Sequence, residues 1–317
     1  MTNSAAPMLA CVPGRNFYFH MAYTKLPLDY QDLIALLKSR GMTIADEAFV
    51  KEQLSVISYF RLAGYWRPME KDKLCHTFKC GSTFENAVEL YYFDKELRAL
   101  LFTTIQSIEI ALRAKVIHQI SMLYGSFWFM DSKNFTNQEL FIDNLNRLNR
   151  ELSRSKEDFI QEHYNKYSRN QLPPVWKTLE LASFGTLSKT FENFADNKIK
   201  KKIAKELGLP QHLYIESWLK SISALRNSIA HHGRVWNKIF PLKPQIPAVL
   251  VNPWITNQFF DKGKLYATLC CLTYLEYSIH PNSKFKEALM NLLKAHPIVD
   301  TAAMGFPANW KSEPLWR

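Results

Sequence analysis

Residues 214–237 read YIESWLKSISALRNSIAHHGRVWN, and the helical spacing in this stretch decides how the rest of the sequence is interpreted. With about 100° of rotation per residue, one side of a helix here is apolar. That side carries Ile215, Trp218, Leu219, Ile222, Leu225 and Ile229. The opposite side carries Glu216, Lys220, Asn227 and His231, of which the last two lie one turn apart. We predict a helix from Tyr214 to about His232 that is stopped by Gly233 and has one face in a core.

The same three-to-four spacing of apolar residues recurs along most of the chain and predicts a mainly α protein. The predicted helices cover residues 30–62 with a stop at Arg40-Gly41, 84–120, 138–152, a stretch after Pro173-Pro174, 198–207, 265–279 and 285–295. Residues 70–83 mix Lys, Thr, Cys and Gly, which favours a short hairpin or loop. Alternation with a period of two residues is rare elsewhere.

Three parts follow one another along the chain. We predict a flexible N-terminal arm at residues 1–23, an N-terminal helical region at 24–83 and a larger helical domain at 84–317. Residues 131–171 are polar and charged, so we expect them to form an insert that holds the helix at 138–152 and an exposed linker.

The composition narrows the class of protein. Of 317 residues, 47% are apolar, which suffices for a sizeable core, and the net charge of +11 favours an anionic partner such as RNA, DNA or a membrane surface. Neither the dinucleotide-binding nor the P-loop pattern is present among the 10 glycines. We find no signal peptide in residues 1–20 and no uncharged apolar run of about 18 residues, so we expect a cytoplasmic protein without a membrane partner.

The five cysteines favour reduced thiols over a disulfide framework. Cys75 and Cys80 flank His76, which leaves a structural zinc site as a minor alternative. Their spacing does not match a zinc knuckle, and Cys270 and Cys271 are adjacent within an apolar run instead of forming a second ligand pair. We therefore expect no metal and no cofactor.

The polar side of the predicted helix 214–232 carries groups suited to acid–base chemistry. His231 falls in the last turn, where the negative end of the helix dipole stabilises imidazolium, and histidine exchanges protons near neutral pH. Arg226, on the flank of the apolar face, carries a guanidinium suited to a phosphodiester and its developing charge. Together these groups could cleave RNA without a metal, through attack of the ribose 2′-OH that leaves a 2′,3′-cyclic end.

Simpler interpretations of the same residues stay open. An arginine, an asparagine and a histidine on one helix face are often only a solvated surface. Arg226 could instead be the structural partner of a buried carboxylate such as Glu109. Glu109 itself lies one turn from Arg113 and is favoured to form an internal ion pair with it.

Residues 226–231, RNSIAH, match the R-N-x-x-x-H signature of HEPN ribonucleases, and the extension through Asn237 resembles the A-H-H-x-R-x-W-N ending of the AbiD/AbiF abortive-infection family. Further segments resemble this family in the same order, over roughly residues 24–240. They are YFRL at 59–62, GYWRP at 64–68, FDKELR at 93–98, IEIALR at 108–113, PPVW at 173–176, SFGTLSK at 183–189 and SWL at 217–219. The ordered set, more than the short signature, carries the resemblance.

The resemblance implies a HEPN-like helical bundle with an N-terminal helical extension. It implies a homodimer in which two signature helices form one composite active site, and a phage-defence role in which RNA cleavage halts the growth of the host. RNA would be the substrate, and a small structured noncoding RNA would restrain the toxin. In this scheme Arg226 stabilises the phosphate, Asn227 orients or binds the substrate, and His231 is the acid–base group.

The residues after the signature match the family ending with less defined roles. We assign His232 and Arg234 to RNA binding, whereas Trp236 and Asn237 could simply anchor the loop after Gly233.

A basic run adds candidates for RNA binding: Lys198, Lys200, Lys201, Lys202 and Lys205. With the nearby aromatic residues Phe191 and Phe194 they could grip a phosphate backbone, although an ordinary solvated helix face has the same composition. A second aromatic cluster comprises Tyr59, Phe60, Tyr65 and Trp66. It could stack on bases, but we favour a place in the core.

The sequence thus leaves functions of different classes. The first is a metal-independent endoribonuclease toxin, and the second is a non-catalytic RNA-binding sensor or scaffold that uses the same basic face. A DNA-binding regulator is less favoured, because no helix-turn-helix pattern is present.

Overall fold

The computed structural model describes residues 26–167 and 171–317. The predicted arm, residues 1–23, lies outside the described residues. Within them the protein is mainly helical, which confirms the predicted class, and its strands form one two-stranded hairpin.

Three short helices come first: α1 (Tyr30–Ser39), α2 (Glu47–Ile57) and α3 (Tyr59–Trp66). Helix α1 is capped by Asp29, whose carboxylate accepts the N–H of Asp32 at 2.8 Å. It ends at the predicted stop, since Gly41 has a φ of +89°. The break between α2 and α3 was not predicted, because it depends on a single residue, Ser58, with a φ of +68°.

The predicted hairpin follows and consists of β1 (Glu70–Asp72) and β2 (Thr77–Phe78), which pair antiparallel. The N–H of Lys79 donates to the carbonyl of Met69 at 2.9 Å, so the hairpin closes just before the long helix.

The remaining helices are α4 (Phe84–Tyr124), α5 (Gln138–Arg154), α6 (Asp158–Lys166), α7 (Val175–Thr178), α8 (Phe184–Asn193), α9 (Asn197–Glu206), α10 (His212–Ala230), α11 (Leu265–Ile279) and α12 (Phe285–Ala295). The predicted bounds of α11 and α12 agree residue for residue. The other bounds differ by a few residues, because capping and not apolar spacing sets the last turn.

Helix α4 organises the molecule. Its 41 residues extend over about 60 Å, and it contacts α3 as well as α10, α11 and α12. Thr83 caps its start by accepting the N–H of Asn86 at 3.1 Å, and Gly125 with a φ of +77° follows its end. Its apolar stripe is buried along its length.

The segment 131–171 differs from the prediction. The sequence led us to expect an exposed linker after residue 152, but α6 forms there, and its Ile160 and His163 are buried. Helix α5 packs against α8 and buries Phe141 and Leu148. The prediction was wrong because a narrow apolar stripe is masked by the surrounding polar residues when composition is averaged.

One apolar core runs through the described residues, from Ile34 in α1 to Trp316 near the end of the chain. The N-terminal helices and α4 share this core. The division at residues 83 and 84 stays a prediction.

Candidate functional site

Helix α10 contacts α4, α8, α9 and α11, and these neighbours decide which of its side chains reach solvent. The six apolar residues predicted to face the core are all buried. Asn227 and His231 are exposed, as expected for its polar side. Glu216 differs from them, because its carboxylate Oε1 lies 2.8 Å from Nζ of Lys200 in α9 and its side chain is mostly buried.

The end of α10 differs in detail from the prediction. His231 is the cap residue, and His232, not Gly233, adopts the left-handed conformation with a φ of +56°. The N–H of His232 donates to the carbonyl of Ile229 at 2.9 Å, and that of Gly233 donates to Ser228 at 2.7 Å. These are the two hydrogen bonds of a Schellman motif. Gly233 is needed for space, since a Cβ there would lie 2.9 Å from the Ser228 carbonyl oxygen.

Arg226 is turned toward α4. Its guanidinium carbon lies 5.9 Å from the centroid of the Phe102 ring. A cavity of about 220 Å³ between the two helices is lined by Phe102, Gln106, Glu109, Ile110, Arg113 and Arg226. Residues five apart on a helix are rotated by about 140°. Arg226 and His231 of one chain therefore face different directions.

Glu109 is held by Arg113 and not by Arg226. Nη2 of Arg113 donates to Glu109 Oε1 at 2.7 Å and to the carbonyl of Ala182 at 2.9 Å, so the favoured internal ion pair is present. Burial raises the pKa of the Glu109 carboxyl, and the charges of Arg113 and Arg226 oppose this shift. The described residues offer the Arg226 guanidinium no hydrogen bond, so its donors remain available.

Asp94 of α4 anchors the segment that follows α10. Its side chain is fully buried, and its Oδ1 accepts the main-chain N–H groups of Val235 at 3.0 Å and Trp236 at 2.6 Å. Its Oδ2 accepts the Tyr65 hydroxyl at 2.7 Å and lies 3.2 Å from Nε of Arg98. Burial raises the pKa of Asp94, whereas these donors lower it.

Asp94 belongs to the segment FDKELR, and the sequence alone predicted no role for it. A signal was present, because Asp94 lies within the apolar stripe of α4, four residues after Leu90 and three before Leu97. A carboxylate on a core face is buried only when it has partners. Its position therefore marks an anchor whose partners only the structure identifies.

Two arginines connect α3 to the end of α10. Nη1 of Arg61 donates to the carbonyl of His232 at 2.8 Å, and Nη1 of Arg234 donates to the carbonyl of Gly64. The segments YFRL, GYWRP, FDKELR and HHGRVWN are distant in the sequence, yet they meet here. Together they hold the helix end that carries His231.

The residues after the signature are mostly anchors. Arg234 is half-buried, it donates to the carbonyl of Gly64 and burial lowers its pKa, so it anchors α3, and its contact with RNA stays a prediction. The Trp236 ring stacks on the Tyr65 ring with 6.2 Å between centroids. Oδ1 of Asn237 accepts a hydrogen bond of 3.0 Å from Nζ of Lys264. The His232 side chain is exposed.

Helix α9 presents only part of the predicted basic face. Its exposed lysines are Lys198, Lys201, Lys202 and Lys205. Lys200 is 4% exposed, faces Glu216 and donates to the carbonyl of Glu192 at 3.0 Å. Its predicted contact with RNA is therefore corrected, because it lies on the side of α9 that packs against α10.

The aromatic candidates for RNA contacts divide in a similar way. Phe191 and Phe194 are fully buried, which corrects their proposed place beside the lysines. Tyr65 and Trp66 are buried as favoured, whereas Phe60 is 85% exposed.

In residues 26–167 and 171–317, no three His, Cys, Asp or Glu side chains are grouped to hold a metal ion. His76 approaches Glu70 instead, with 3.3 Å between Nδ1 and Oε1. Cys270 and Cys271 are fully buried, and burial raises the pKa of both thiols.

The same ranges contain no helix that is both long and apolar enough to cross a membrane.

A family model described as "Abi-like protein" matches residues 52–237, which is more than half of the 317 residues. No curated protein and no solved structure matches the chain. The matched range begins in α2 and ends at Asn237, so it contains α3, α4, the signature helix and the Asp94 anchor. The chain therefore belongs to the Abi-like protein family, which associates it with abortive infection, a form of phage defence.

Proposed function

We propose that this protein is an RNA-binding endoribonuclease of phage defence, with chemistry carried by Arg226, Asn227 and His231 and without a metal ion. The main support is the end of α10. There the backbone that carries the exposed His231 is fixed by a Schellman turn, and contacts from α3 and α4 hold the main chain just after it. Fixed placement of an acid–base group is what such catalysis requires.

The reaction would follow from these side chains. A neutral His231 imidazole takes the proton of a ribose 2′-OH, and the 2′-oxygen attacks the adjacent phosphorus. The bond from phosphorus to the 5′-oxygen breaks, and a protonated imidazole returns a proton to that oxygen. The products are a 2′,3′-cyclic phosphate and a 5′-hydroxyl. The Arg226 guanidinium would stabilise the charge on the phosphate oxygens.

A homodimer supplies what one chain lacks. Arg226 and His231 of a single chain face different directions, about 140° apart around α10. We propose that two copies place their α10 helices together, so that one histidine acts as base and the second as acid. Asn227, exposed one turn before His231, would orient the substrate or contact the second copy.

A basic surface supports the binding of RNA. The four exposed lysines of α9 lie together on one side of that helix, and such a side attracts a phosphate backbone in a salt-dependent way. We propose that this side holds the substrate and also a small structured noncoding RNA that restrains the enzyme.

The test compares the wild type with His231→Ala under inducible expression in bacteria, with growth and RNA ends as readouts. The matched control is His280→Ala, since His280 is also an exposed histidine at the cap of a helix, α11. We expect the wild type and the control to arrest growth and produce new ends with 2′,3′-cyclic phosphates. His231→Ala should do neither.

Arrest that persists in His231→Ala without new RNA ends would favour the non-catalytic RNA-binding sensor or scaffold. If no variant arrests growth, the purified protein, stripped of bound RNA at high salt, is assayed on RNA with and without a chelator. Cleavage that the chelator abolishes would contradict the metal-independent mechanism.

A further inference from the structure

The cavity beside Arg226 has the size of a site for a small group. Its volume is about 220 Å³, whereas pockets for drug-sized ligands hold about 300–1,000 Å³. It lies between α4 and α10, on the side of α10 to which Arg226 points. A single planar ring suits this volume better than a larger ligand does.

One wall of the cavity is a stripe on α4. Phe102, Gln106 and Ile110 follow one another at intervals of four residues, so they share one face of that helix. The Phe102 side chain is 38% exposed and that of Ile110 is 58% exposed. The Gln106 amide is exposed and has no hydrogen-bond partner among the described residues. This wall offers an aromatic face beside a group that both donates and accepts hydrogen bonds.

The other walls carry positive charge with unused donors. The Arg226 guanidinium makes no hydrogen bond with the described residues. Arg113 is only 8% exposed, and its buried Nε has no hydrogen-bond acceptor. The carboxylate of Glu109 is already bound by Arg113. The buried Nε of Arg113 is costly without an acceptor, and the half-buried Arg226 guanidinium adds donors at the cavity, so an anionic or polar ligand fits better than an apolar side chain of another protein.

We propose that this cavity binds one nucleotide of a single-stranded RNA beside the cleaved bond. The base stacks on Phe102, the Gln106 amide bonds the edge of the base, and Arg226 binds the phosphate. Single-stranded RNA is recognised by such stacking on aromatic rings together with hydrogen bonds to exposed base edges. The proposal rests on the proposed function and adds to it a preference for particular bases, set by Gln106.

The test measures binding without cleavage. The probes are fluorescein-labelled RNA 12-mers, each built from a single kind of base. They carry 2′-fluoro groups, which cannot attack the phosphate. An abasic 12-mer reports on backbone contacts alone. Binding to the full chain is followed by fluorescence anisotropy. Phe102→Leu removes the ring but keeps an apolar side chain in place. Phe259→Ala is the control, because Phe259 is a 94% exposed phenylalanine that does not line the cavity.

We expect Phe102→Leu to weaken binding of the base-containing probes by roughly tenfold or more, the usual scale for loss of one stacking contact. Binding of the abasic probe should not change, and Phe259→Ala should bind every probe as the wild type does. Gln106→Ala should retain binding but reduce the differences in affinity among the bases.

Failure of this proposal is distinct from failure of the proposed function. If the wild type binds none of the probes, RNA binding itself is contradicted. If the wild type binds and Phe102→Leu binds equally well, only the nucleotide site is overturned. The nucleotide site would also be overturned if Phe102→Leu bound RNA normally but had a different molar mass from the wild type, as measured by light scattering. That result would identify the stripe of Phe102, Gln106 and Ile110 as a contact between copies.

Discussion

The N–H of Trp236 donates a hydrogen bond of 2.6 Å to the carboxylate of Asp94 in a fully buried setting. The two residues are 142 positions apart, and this bond joins the segment after α10 to α4. Trp236 follows His231 by five residues. The position of the proposed acid–base group therefore depends on a carboxylate that takes no part in the reaction.

Substitution of Asp94 should cost both stability and activity. Asp94→Ala leaves Arg98 buried without its carboxylate and should lower the free energy of unfolding by about 3–5 kcal/mol. Asp94→Asn keeps an oxygen for the main-chain N–H groups and should lower it by about 1–3 kcal/mol. Urea denaturation measures both. Asp143→Asn, which breaks an exposed pair with Arg147, should cost under about 1 kcal/mol. Equal losses of unfolding free energy in all three variants would contradict the role of Asp94 as an anchor.

The stability that Asp94 contributes should depend on pH. Burial raises the pKa of Asp94 above its ordinary value of 3.8, so the folded protein keeps this proton at a pH where the unfolded chain has lost it. Unfolding then releases a proton, and the free energy of unfolding falls as pH rises from that value through the folded pKa. An asparagine has no such dependence. The stability advantage of the wild type over Asp94→Asn should therefore shrink as pH rises in this window, as measured by urea denaturation of both proteins at each pH. A gap that widens with pH would contradict this sign.

Two neighbouring substitutions at the end of α10 should act in opposite directions. Gly233→Ala places a Cβ against the Ser228 carbonyl and should cost about 1–3 kcal/mol. His232→Gly relieves a left-handed residue and, after the added freedom of the unfolded chain, should gain about 0.5 kcal/mol. Thermal unfolding compares them. If Gly233→Ala unfolds like the wild type, the close contact is not real. Loss of RNA binding in a stable His232→Gly would support the role assigned to the His232 side chain.

The lysines of α9 should separate into two classes. Lys200→Met removes the ammonium beside the mostly buried Glu216, which leaves it only His212 at 4.0 Å, and should lower the free energy of unfolding by about 3 kcal/mol. Lys201→Ala should leave stability unchanged. If Lys201 contacts RNA phosphate, this variant also reduces the slope of log affinity against log salt by about one. Denaturation and binding titrations at several salt concentrations measure the two effects. An unchanged salt slope for each exposed lysine would remove this side of α9 from the RNA surface.

Much of the secondary structure was predictable because apolar spacing is a local property. Helices α11 and α12 were predicted to the residue, and the hairpin was predicted from its turn-forming composition. Two features were not. The break at Ser58 depends on one backbone angle, and α6 is too short and too polar for its stripe to emerge from composition.

The exposure of Asn227 and His231 was also predictable, since residues four apart on a helix share a face. The contacts that the side chains of Arg226, Lys200 and Asp94 make could not be predicted. Each depends on a group that another element supplies: the Phe102 ring, the Glu216 carboxylate and the main-chain N–H groups after α10.

By itself, then, the sequence determined the helices, the two faces of α10 and the signature that resembles the HEPN ribonucleases, because all three are patterns within short segments. Only the tertiary structure decided which polar residues became anchors and which stayed available. The physical reason is that burial of a charge is tolerated only beside a suitable partner. For Asp94 and Arg234 those partners lie more than a hundred residues away along the chain.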